Sequence, residues 1–246
     1  MGEPFELEDF LKWNPPQLSP IISDGLMYTG CKIIIYGKYK SLKSMLATRL
    51  CLSIANGKTW LGFNTVKSSI MYLQLEIPNP MLQERIKKMV PINTNNRAPF
   101  YIWTEPTIKI DTDDGFKRIE QEIIKYHPKV LVIDPIYKIV SGDLLSTSHI
   151  QKLTDWIDRL INDYQLSIVL VHHTRKGAYE EWGSDDMLGS VIFSAWADSI
   201  VKIERKQDKE VVVKFEVVRH AQVELPPRVF NVDLDTSDFT KSDRII

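Results

Sequence analysis

Residues 32–57 constrain the possible folds of this chain more than any other segment. They begin with an apolar β-type run, KIIIY, turn at Gly37, and continue into a helical pattern of apolar residues, MLATRLCLSIAN, that stops at Gly57. The run predicts a buried strand, and a glycine directly after a periodic segment is typical of a helix C-terminus. A strand, a short loop and a helix in this order predict the first unit of an α/β fold.

The loop between this strand and this helix has the composition of a phosphate-binding loop. Gly37, Lys43 and Ser44 fit the pattern G-x-x-x-x-G-K-[ST]. In that pattern backbone N–H groups cradle phosphates, the lysine reaches the terminal phosphates and the hydroxyl binds Mg²⁺. The N-terminus of the following helix adds the positive end of its dipole. The residues that we predict to bind ATP are Gly37, Lys38, Tyr39, Lys40, Ser41, Leu42, Lys43, Ser44 and Met45.

One position of the loop departs from the pattern. Leu42 stands where the second glycine belongs. The last turn before the helix commonly needs a backbone conformation that only glycine adopts without strain, so whether Leu42 weakens ATP binding is left open. The alternative interpretation of the segment is a lysine-rich surface turn. The strand–loop–helix context favours the phosphate-binding loop.

The rest of the chain alternates predicted strands with predicted helices, which is typical of a mostly parallel sheet flanked by helices. The predicted strands are 32–36, 69–75, 100–103, 130–133, 167–171, 199–204, 210–218 and 228–232, and the predicted helices include 81–89, 115–126 and 150–164. Residues 1–23 contain four prolines and are predicted to form an N-terminal arm. Residues 24–233 are predicted to form one domain, and residues 234–246 a polar C-terminal tail.

The composition indicates a chain without an overall electrostatic bias. Lys and Arg number 31 against 32 Asp and Glu, a net charge of −1, so a nucleic acid or an anionic membrane would have to be bound by a local patch. Cys31 and Cys51 lie in apolar surroundings without metal-ligand spacing, and we expect buried thiols in a reducing cytoplasm. No apolar run reaches the roughly 18 residues of a membrane span, and the acidic start is unlike a signal peptide.

Polar side chains end three of the predicted strands, where open parallel sheets bind their ligands. The run VLVID ends at Asp134, and four apolar residues followed by Asp are typical of the carboxylate that holds Mg²⁺ in nucleotide hydrolases. The alternative is an Asp that caps the turn before Pro135. The phosphate-binding loop favours the metal, so Ser44 and Asp134 are the predicted metal ligands.

The other two strand ends supply candidates for chemistry. Glu76 follows the strand after the first helix, where a carboxylate can polarise the water that attacks the γ-phosphate. The alternative is a solvated Glu that opens a loop. His172 and His173 follow a buried apolar strand, a costly place for polar groups without partners. We expect one of them to contact the γ-phosphate or the attacking water.

The ordered series of motifs resembles the RecA-like ATPases and, within them, the RepA-type branch of hexameric replicative helicases, which is related to DnaB and KaiC. The resemblance runs from about residue 22 to 232. It rests on GKYKSLKS, YLQLE with the downstream Arg85, VLVIDP, VLVHHTRKG and LGSVIFSAWADSIVKIER, in which Gly189, Ser190 and Asp198 match the family. The resemblance implies a RecA-like core with a mostly parallel sheet, antiparallel C-terminal strands, and ATP bound between subunits of a ring.

The resemblance also implies roles for individual residues. Glu76 matches the catalytic glutamate, Lys43 the phosphate-binding lysine, and His173 the position of a Gln or His that senses the γ-phosphate. The family's arginine finger, supplied by the adjacent subunit, lies in a K-x-R pattern, and the comparable stretch here is KFEVVRHA. Arg219 is therefore the predicted finger, although Val217 replaces the lysine. An exposed cross-strand arginine is an equally weighted alternative.

Two functions stay open at this point. The first is an ATP-hydrolysing, helicase-like motor of a replicon, phage or plasmid that forms a homo-oligomeric, hexameric ring in the cytoplasm. Single-stranded DNA is its candidate partner. The second is a nucleotide-responsive oligomeric scaffold or loader with weakened or lost hydrolysis. The loop 176–189 should face DNA in a motor, but it carries four acidic residues, which repel phosphates. Tyr179 and Trp182 could stack on bases or pin the loop to protein.

Overall fold

The structure is a computed structural model that describes residues 4–15, 18–90, 96–144, 146–174, 190–207 and 209–244. The helices in these ranges are α1 (Leu7–Lys12), α2 (Lys43–Asn56), α3 (Asn79–Met89), α4 (Asp113–Tyr126), α5 (Ile136–Ile139), α6 (Thr147–Tyr164) and α7 (Ser190–Trp196). The strands are β1 (Pro20–Ile22), β2 (Met27–Tyr28), β3 (Lys32–Gly37), β4 (Ile70–Gln74), β5 (Phe100–Thr104), β6 (Val130–Asp134), β7 (Ser167–His173), β8 (Ser199–Gln207), β9 (Glu210–Val218), β10 (Arg228–Val232) and β11 (Phe239–Lys241).

One sheet organises the domain. Its strand order is β11-β10-β9-β8-β3-β7-β6-β4-β5. The strands from β5 to β8 in this order are parallel, and β9, β10 and β11 each run antiparallel to their neighbours. The predicted α/β fold, with a mostly parallel sheet and antiparallel C-terminal strands, is confirmed.

Burial on both faces explains the apolar runs of the central strands. In β4 and β6 every residue is buried, because helices cover each side of the sheet. Helices α2 and α3 pack on one face, and α4, α5, α6 and α7 pack on the other, which divides the core into two clusters. The strongly amphipathic helices α4 and α6 bury one apolar stripe each and expose the opposite side.

Several element ends differ from the sequence prediction. Strand β7 continues past residue 171 to His173, because His172 and His173 extend the parallel ladder opposite Tyr36 and Gly37. The predicted arm contains α1 and β1, and β1 pairs with β2 in a separate two-stranded sheet. The predicted polar tail contributes β11, which pairs with β10.

Two further findings concern the predicted environment of the chain. Both cysteines are free and buried, as the sequence indicated. Among the described helices, none combines the length and the apolar character that a membrane crossing needs.

Candidate active site

The predicted phosphate-binding loop joins the carboxyl end of β3 to the N-terminus of α2. Gly37 ends the strand, and a Cβ atom there would collide with the backbone oxygen of Ile203 in β8, so only glycine allows this approach. Lys40 and Leu42 have left-handed backbones, with φ of 60° and 71°. Leu42 therefore has the glycine-like backbone conformation that is expected at this position of the loop.

Lys43 is the buried cation of the loop. Its side chain is 5% exposed, and Nζ donates to the backbone oxygens of Gly37 at 3.0 Å and Lys38 at 2.7 Å. Burial lowers the pKa of Lys43 to about 8, while the carboxylates of Asp134 and Glu76 act in the opposite direction. Bound phosphate would favour the charged ammonium in the same way as these carboxylates do.

The Ser41 hydroxyl is a second indication that the loop is built for an oxyanion. It is buried, and no atom in the described part of the chain accepts or donates a hydrogen bond to it. Buried polar atoms in native proteins nearly always have a partner. A phosphate oxygen in the loop would supply one.

Asp134 lies at the centre of the candidate metal site. Its oxygens accept hydrogen bonds from the hydroxyls of Ser44 at 3.1 Å and Tyr72 at 2.6 Å. Burial raises the pKa of Asp134, and these two hydrogen bonds act against that rise. The hydroxyl and carboxylate oxygens are the hard donors that Mg²⁺ prefers, so the residues fit the ion. Tyr72 could not be recognised from the sequence, because it stands as one more apolar residue in the run that forms β4.

Glu76 lies on an exposed turn directly after β4. One of its carboxylate oxygens accepts a hydrogen bond from the Tyr137 hydroxyl at 2.9 Å. Its backbone N–H, like that of Ile77, donates to the side-chain oxygen of Gln74, at 2.7 Å and 2.6 Å. Gln74 and Tyr137 therefore position the candidate base. The polar Gln74 within an apolar strand was a usable sequence signal, whereas Tyr137 had none.

The two histidines of β7 point to opposite faces of the sheet. His172 is buried against Phe193 of α7, with ring centroids 5.2 Å apart, so its side chain belongs to the core. His173 pairs in register with Gly37 and lies 5.3 Å from the Tyr137 ring. Burial first, and then the charge of Lys43, lower the pKa of His173 to about 4. His173 is thus a neutral hydrogen-bonding group at pH 7.

Arg219 lies away from this edge. It follows β9 at the opposite end of the sheet, where Val218 pairs with Ser199. Its guanidinium donates to the backbone oxygens at the end of α7, those of Ala195 at 2.6 Å, Ala197 at 2.9 Å and Ser194 at 3.2 Å. Within one chain, Arg219 therefore caps a helix, and its role as a finger toward a neighbouring subunit stays a prediction.

The predicted DNA-facing loop, with Tyr179, Trp182 and Gly189, lies outside the described residues. The neighbouring family positions are described. Ser190 begins α7, and Asp198 accepts a hydrogen bond from the backbone N–H of Lys32 at 2.8 Å. Asp198 therefore ties the start of β8 to the start of β3.

A cavity of about 420 Å³ opens between the loop and the carboxyl end of β8. The described residues that line it include five cationic side chains, those of Lys38, Lys40, Lys202, Arg205 and Lys206. Glu204 also lines it and pairs with the buried Lys202 at 3.3 Å. The cavity continues the phosphate-binding loop on the side away from Glu76, with room and charge for an anionic ligand.

Comparisons with known proteins identify the family and the fold of the chain. A family model described as an AAA domain matches residues 3–179. The structure is similar to a KaiC-like protein from the hyperthermophilic archaeon Pyrococcus horikoshii, with a TM-score of 0.60 and 13% identity over 92% of this chain and 100% of that one. It is also similar to the flagellar accessory protein FlaH from Methanocaldococcus jannaschii, with a TM-score of 0.61 and 14% identity over 88% and 91%. No curated protein sequence matches significantly.

Proposed function

The chain belongs to the AAA-domain family and has the fold of the RecA-like P-loop ATPases, and on that premise we propose that it binds ATP with Mg²⁺ and hydrolyses it. One observation carries the proposal. Lys43, the Ser44–Asp134 pair, Glu76 and His173 come from four separate elements and meet at one edge of the sheet. A phosphate-binding lysine, ligands for Mg²⁺ and a group that orients the attacking water are recurring parts of phosphoryl-transfer sites.

Binding is assigned to residues 37–45. Backbone N–H groups of the loop and the N-terminus of α2 would hold the phosphates, and the Lys43 ammonium would exchange its bonds to Gly37 and Lys38 for phosphate oxygens. Ser44 and Asp134 would hold Mg²⁺, which when bound neutralises charge on the terminal phosphates. The cationic cavity beside β8 is the space for the rest of the nucleotide.

Glu76 is the proposed general base. Its exposed carboxylate can accept a proton from a water, while Tyr137 keeps the side chain at the mouth of the site. His173, neutral at pH 7, can donate one hydrogen bond to the γ-phosphate or the water without adding charge. Each role uses a side chain that reaches the same edge.

The test separates binding from chemistry. We expect Lys43→Ala to reduce ATP·Mg²⁺ affinity at least tenfold in calorimetry, because the ammonium offsets phosphate charge. We expect Glu76→Gln to lower turnover by a factor of 100 or more, on the order expected for general-base loss, with nearly unchanged affinity. Unaltered binding by Lys43→Ala would place the nucleotide elsewhere, and parallel loss of binding in Glu76→Gln would make that residue structural.

We further propose a homo-oligomeric, hexameric ring of the RepA type, in which Arg219 of one subunit reaches the γ-phosphate of the next and the ring works as a helicase-like motor. A heterologous interface that closes on itself forms such a ring. To act as a finger, Arg219 has to leave the carbonyl groups at the end of α7. Single-stranded DNA is the proposed track, and its stimulation of hydrolysis should fall steeply with salt.

The second candidate function is a nucleotide-responsive scaffold or loader with little hydrolysis. The backbone of Leu42 favours it, because a residue with a Cβ occupies the left-handed position that the phosphate-binding pattern gives to glycine. Single-turnover measurement decides between the two. ATP that stays intact for hours on the assembled protein supports the scaffold, and release of phosphate within minutes supports the enzyme.

A further inference from the structure

A second cluster of ligand-type side chains lies at the opposite end of the sheet from the phosphate-binding loop. Cys31 precedes β3, Asp198 precedes β8, and His220 follows β9. One sulfur, one carboxylate oxygen and one imidazole nitrogen from these residues all lie within 4.8 Å of one another. Three segments that are distant in sequence thus bring three different metal-binding groups to one point.

The spacing of two of these atoms is close to that of ligands on one ion. The distance from His220 Nε2 to Asp198 Oδ1 is 3.5 Å. In a tetrahedral zinc site, bonds of about 2.0–2.1 Å place neighbouring nitrogen and oxygen ligands about 3.3 Å apart. A shift of a few tenths of an ångström therefore suffices for this pair. The Cys31 sulfur lies within 4.8 Å of both atoms and would move closer to them to form the third corner.

Neighbouring groups already orient each ligand. The second oxygen of Asp198 accepts the Lys32 N–H at 2.8 Å, and its backbone oxygen accepts the N–H of Arg219 at 3.0 Å. The Tyr28 ring lies edge-on to the His220 ring, with the two centroids 5.9 Å apart. The backbone oxygen of Tyr28 accepts a hydrogen bond from the Cys31 N–H at 3.1 Å. Such outer contacts are the usual support of metal ligands.

The nearby cations do not occupy the cluster. Lys32 pairs with Asp158 at 3.6 Å and lies over the Trp196 ring at 5.1 Å. The Arg219 guanidinium is held by carbonyl groups at the end of α7. Both positive groups are thus directed to other partners, which limits their repulsion of a bound cation.

We propose that Cys31, Asp198 and His220 bind one Zn²⁺, with the fourth position open to water from the exposed His220 side. Sulfur and nitrogen ligands select zinc over Mg²⁺ and Ca²⁺, which prefer oxygen. On binding, the S–H bond of Cys31 breaks, a sulfur–zinc bond forms, and the proton leaves to solvent.

The site joins the starts of β3 and β8 to the end of β9. Zinc that binds the folded chain stabilises it by mass action, so a concentration 100 times the Kd should add about 2.7 kcal/mol. Zinc binding at this site does not require ATP binding or hydrolysis. Because His220 directly follows Arg219, a bound metal would also restrict the proposed finger.

The experiment uses the full chain, stripped with a chelator and titrated with Zn²⁺ and Co²⁺. We expect one ion per chain, a rise in Tm, and a thiolate-to-cobalt absorption band. His220→Ala, at an exposed position, and Cys31→Ser should each weaken Co²⁺ binding tenfold or more, and Cys31→Ser should abolish the band. Cys51→Ala, which removes the other thiol, and His149→Ala, which removes an exposed imidazole, are the matched controls and should retain it.

Lys43→Ala separates this site from the nucleotide site, since it should lose ATP binding and keep the cobalt band. Binding of zinc with equal affinity by the wild type, Cys31→Ser and His220→Ala would overturn the proposal. So would the absence of any binding at millimolar Co²⁺.

Discussion

Leu42 illustrates how one residue can be both strained and packed. Its φ of 71° and ψ of 21° lie in the left-handed region, which costs a residue with a Cβ roughly 1–2 kcal/mol. Its side chain is partly buried and packs against the core beneath α2. The leucine therefore offsets a backbone penalty with side-chain contacts that glycine would lack.

A pair of substitutions separates these two effects. Leu42→Ala removes the packing and keeps the Cβ, whereas Leu42→Gly removes the packing and also the strain. We expect the glycine variant to be more stable than the alanine variant by about 1 kcal/mol, the reverse of their order in an ordinary helix. Urea unfolding measures the difference. An alanine variant at least as stable as glycine would mean that the loop carries no strain at this position.

Tyr137 should matter for turnover more than for binding. Tyr137→Phe removes the hydroxyl that holds Glu76 and nothing else, so we expect kcat to fall roughly tenfold with unchanged ATP affinity. Tyr164→Phe is the matched control, because Tyr164 also donates to a glutamate, Glu120, at 2.9 Å, on the distant helices α6 and α4. Equal effects of both substitutions on turnover would contradict a positioning role for Tyr137.

The lowered pKa of His173 predicts that the folded chain loses stability as the pH falls. Its pKa is about 4 in the folded chain and near 6.5 when unfolded, so between these values the unfolded chain binds the extra proton. Acidification from pH 6.5 to 4 should therefore cost at most about 3 kcal/mol through this residue, and stability should be restored above pH 6.5.

Urea unfolding of the ligand-free protein across this range provides the measurement. His173→Gln should flatten the acid limb of the stability curve. His149→Gln, which replaces an exposed imidazole, is the matched control. A wild-type curve that coincides with the His173→Gln curve would show that the imidazole is not shielded from protonation.

At the scale of elements, the central strands could be predicted because their burial on both faces leaves a continuous apolar run. Strand β6 is an example, because the run VLVID predicts a buried strand that ends in a carboxylate. The end of β7 could not be placed, because two histidines resemble the start of a loop until their ladder partners in β3 are known. The short helices α1 and α5 span six and four residues and carry too little periodicity to be recognised.

The same limit applies to the candidate site. Lys43, Ser44 and Asp134 follow from local patterns, because each motif is contained within one strand and its adjoining loop. Tyr72 and Tyr137 act through contacts with residues about sixty positions away, at Asp134 and Glu76. No local pattern reports such contacts. The domain limits at residues 24 and 233 and the ring remain predictions.

At the scale of the whole molecule, the ring predicts shared activity. Glu76→Gln and Arg219→Ala should each be inactive alone, because one lacks the base and the other the finger. Mixed in equal amounts, they should recover part of the activity, since some interfaces pair an intact Glu76 with an intact Arg219. ATPase assays of mixtures at several protein concentrations are the measurement. Hydrolysis by a monomer at a rate independent of concentration would contradict the ring.

Because β3 is paired on both sides, its amide hydrogens should exchange more slowly than those of the turn that carries Glu76. This strand is hydrogen-bonded to β7 on one side and to β8 on the other, so its amides should be among the last to exchange. The Glu76 amide, by contrast, lies on an exposed turn and donates to the side chain of Gln74. In deuterated water the phosphate-binding strand would stay protonated long after the turn that carries the base has exchanged.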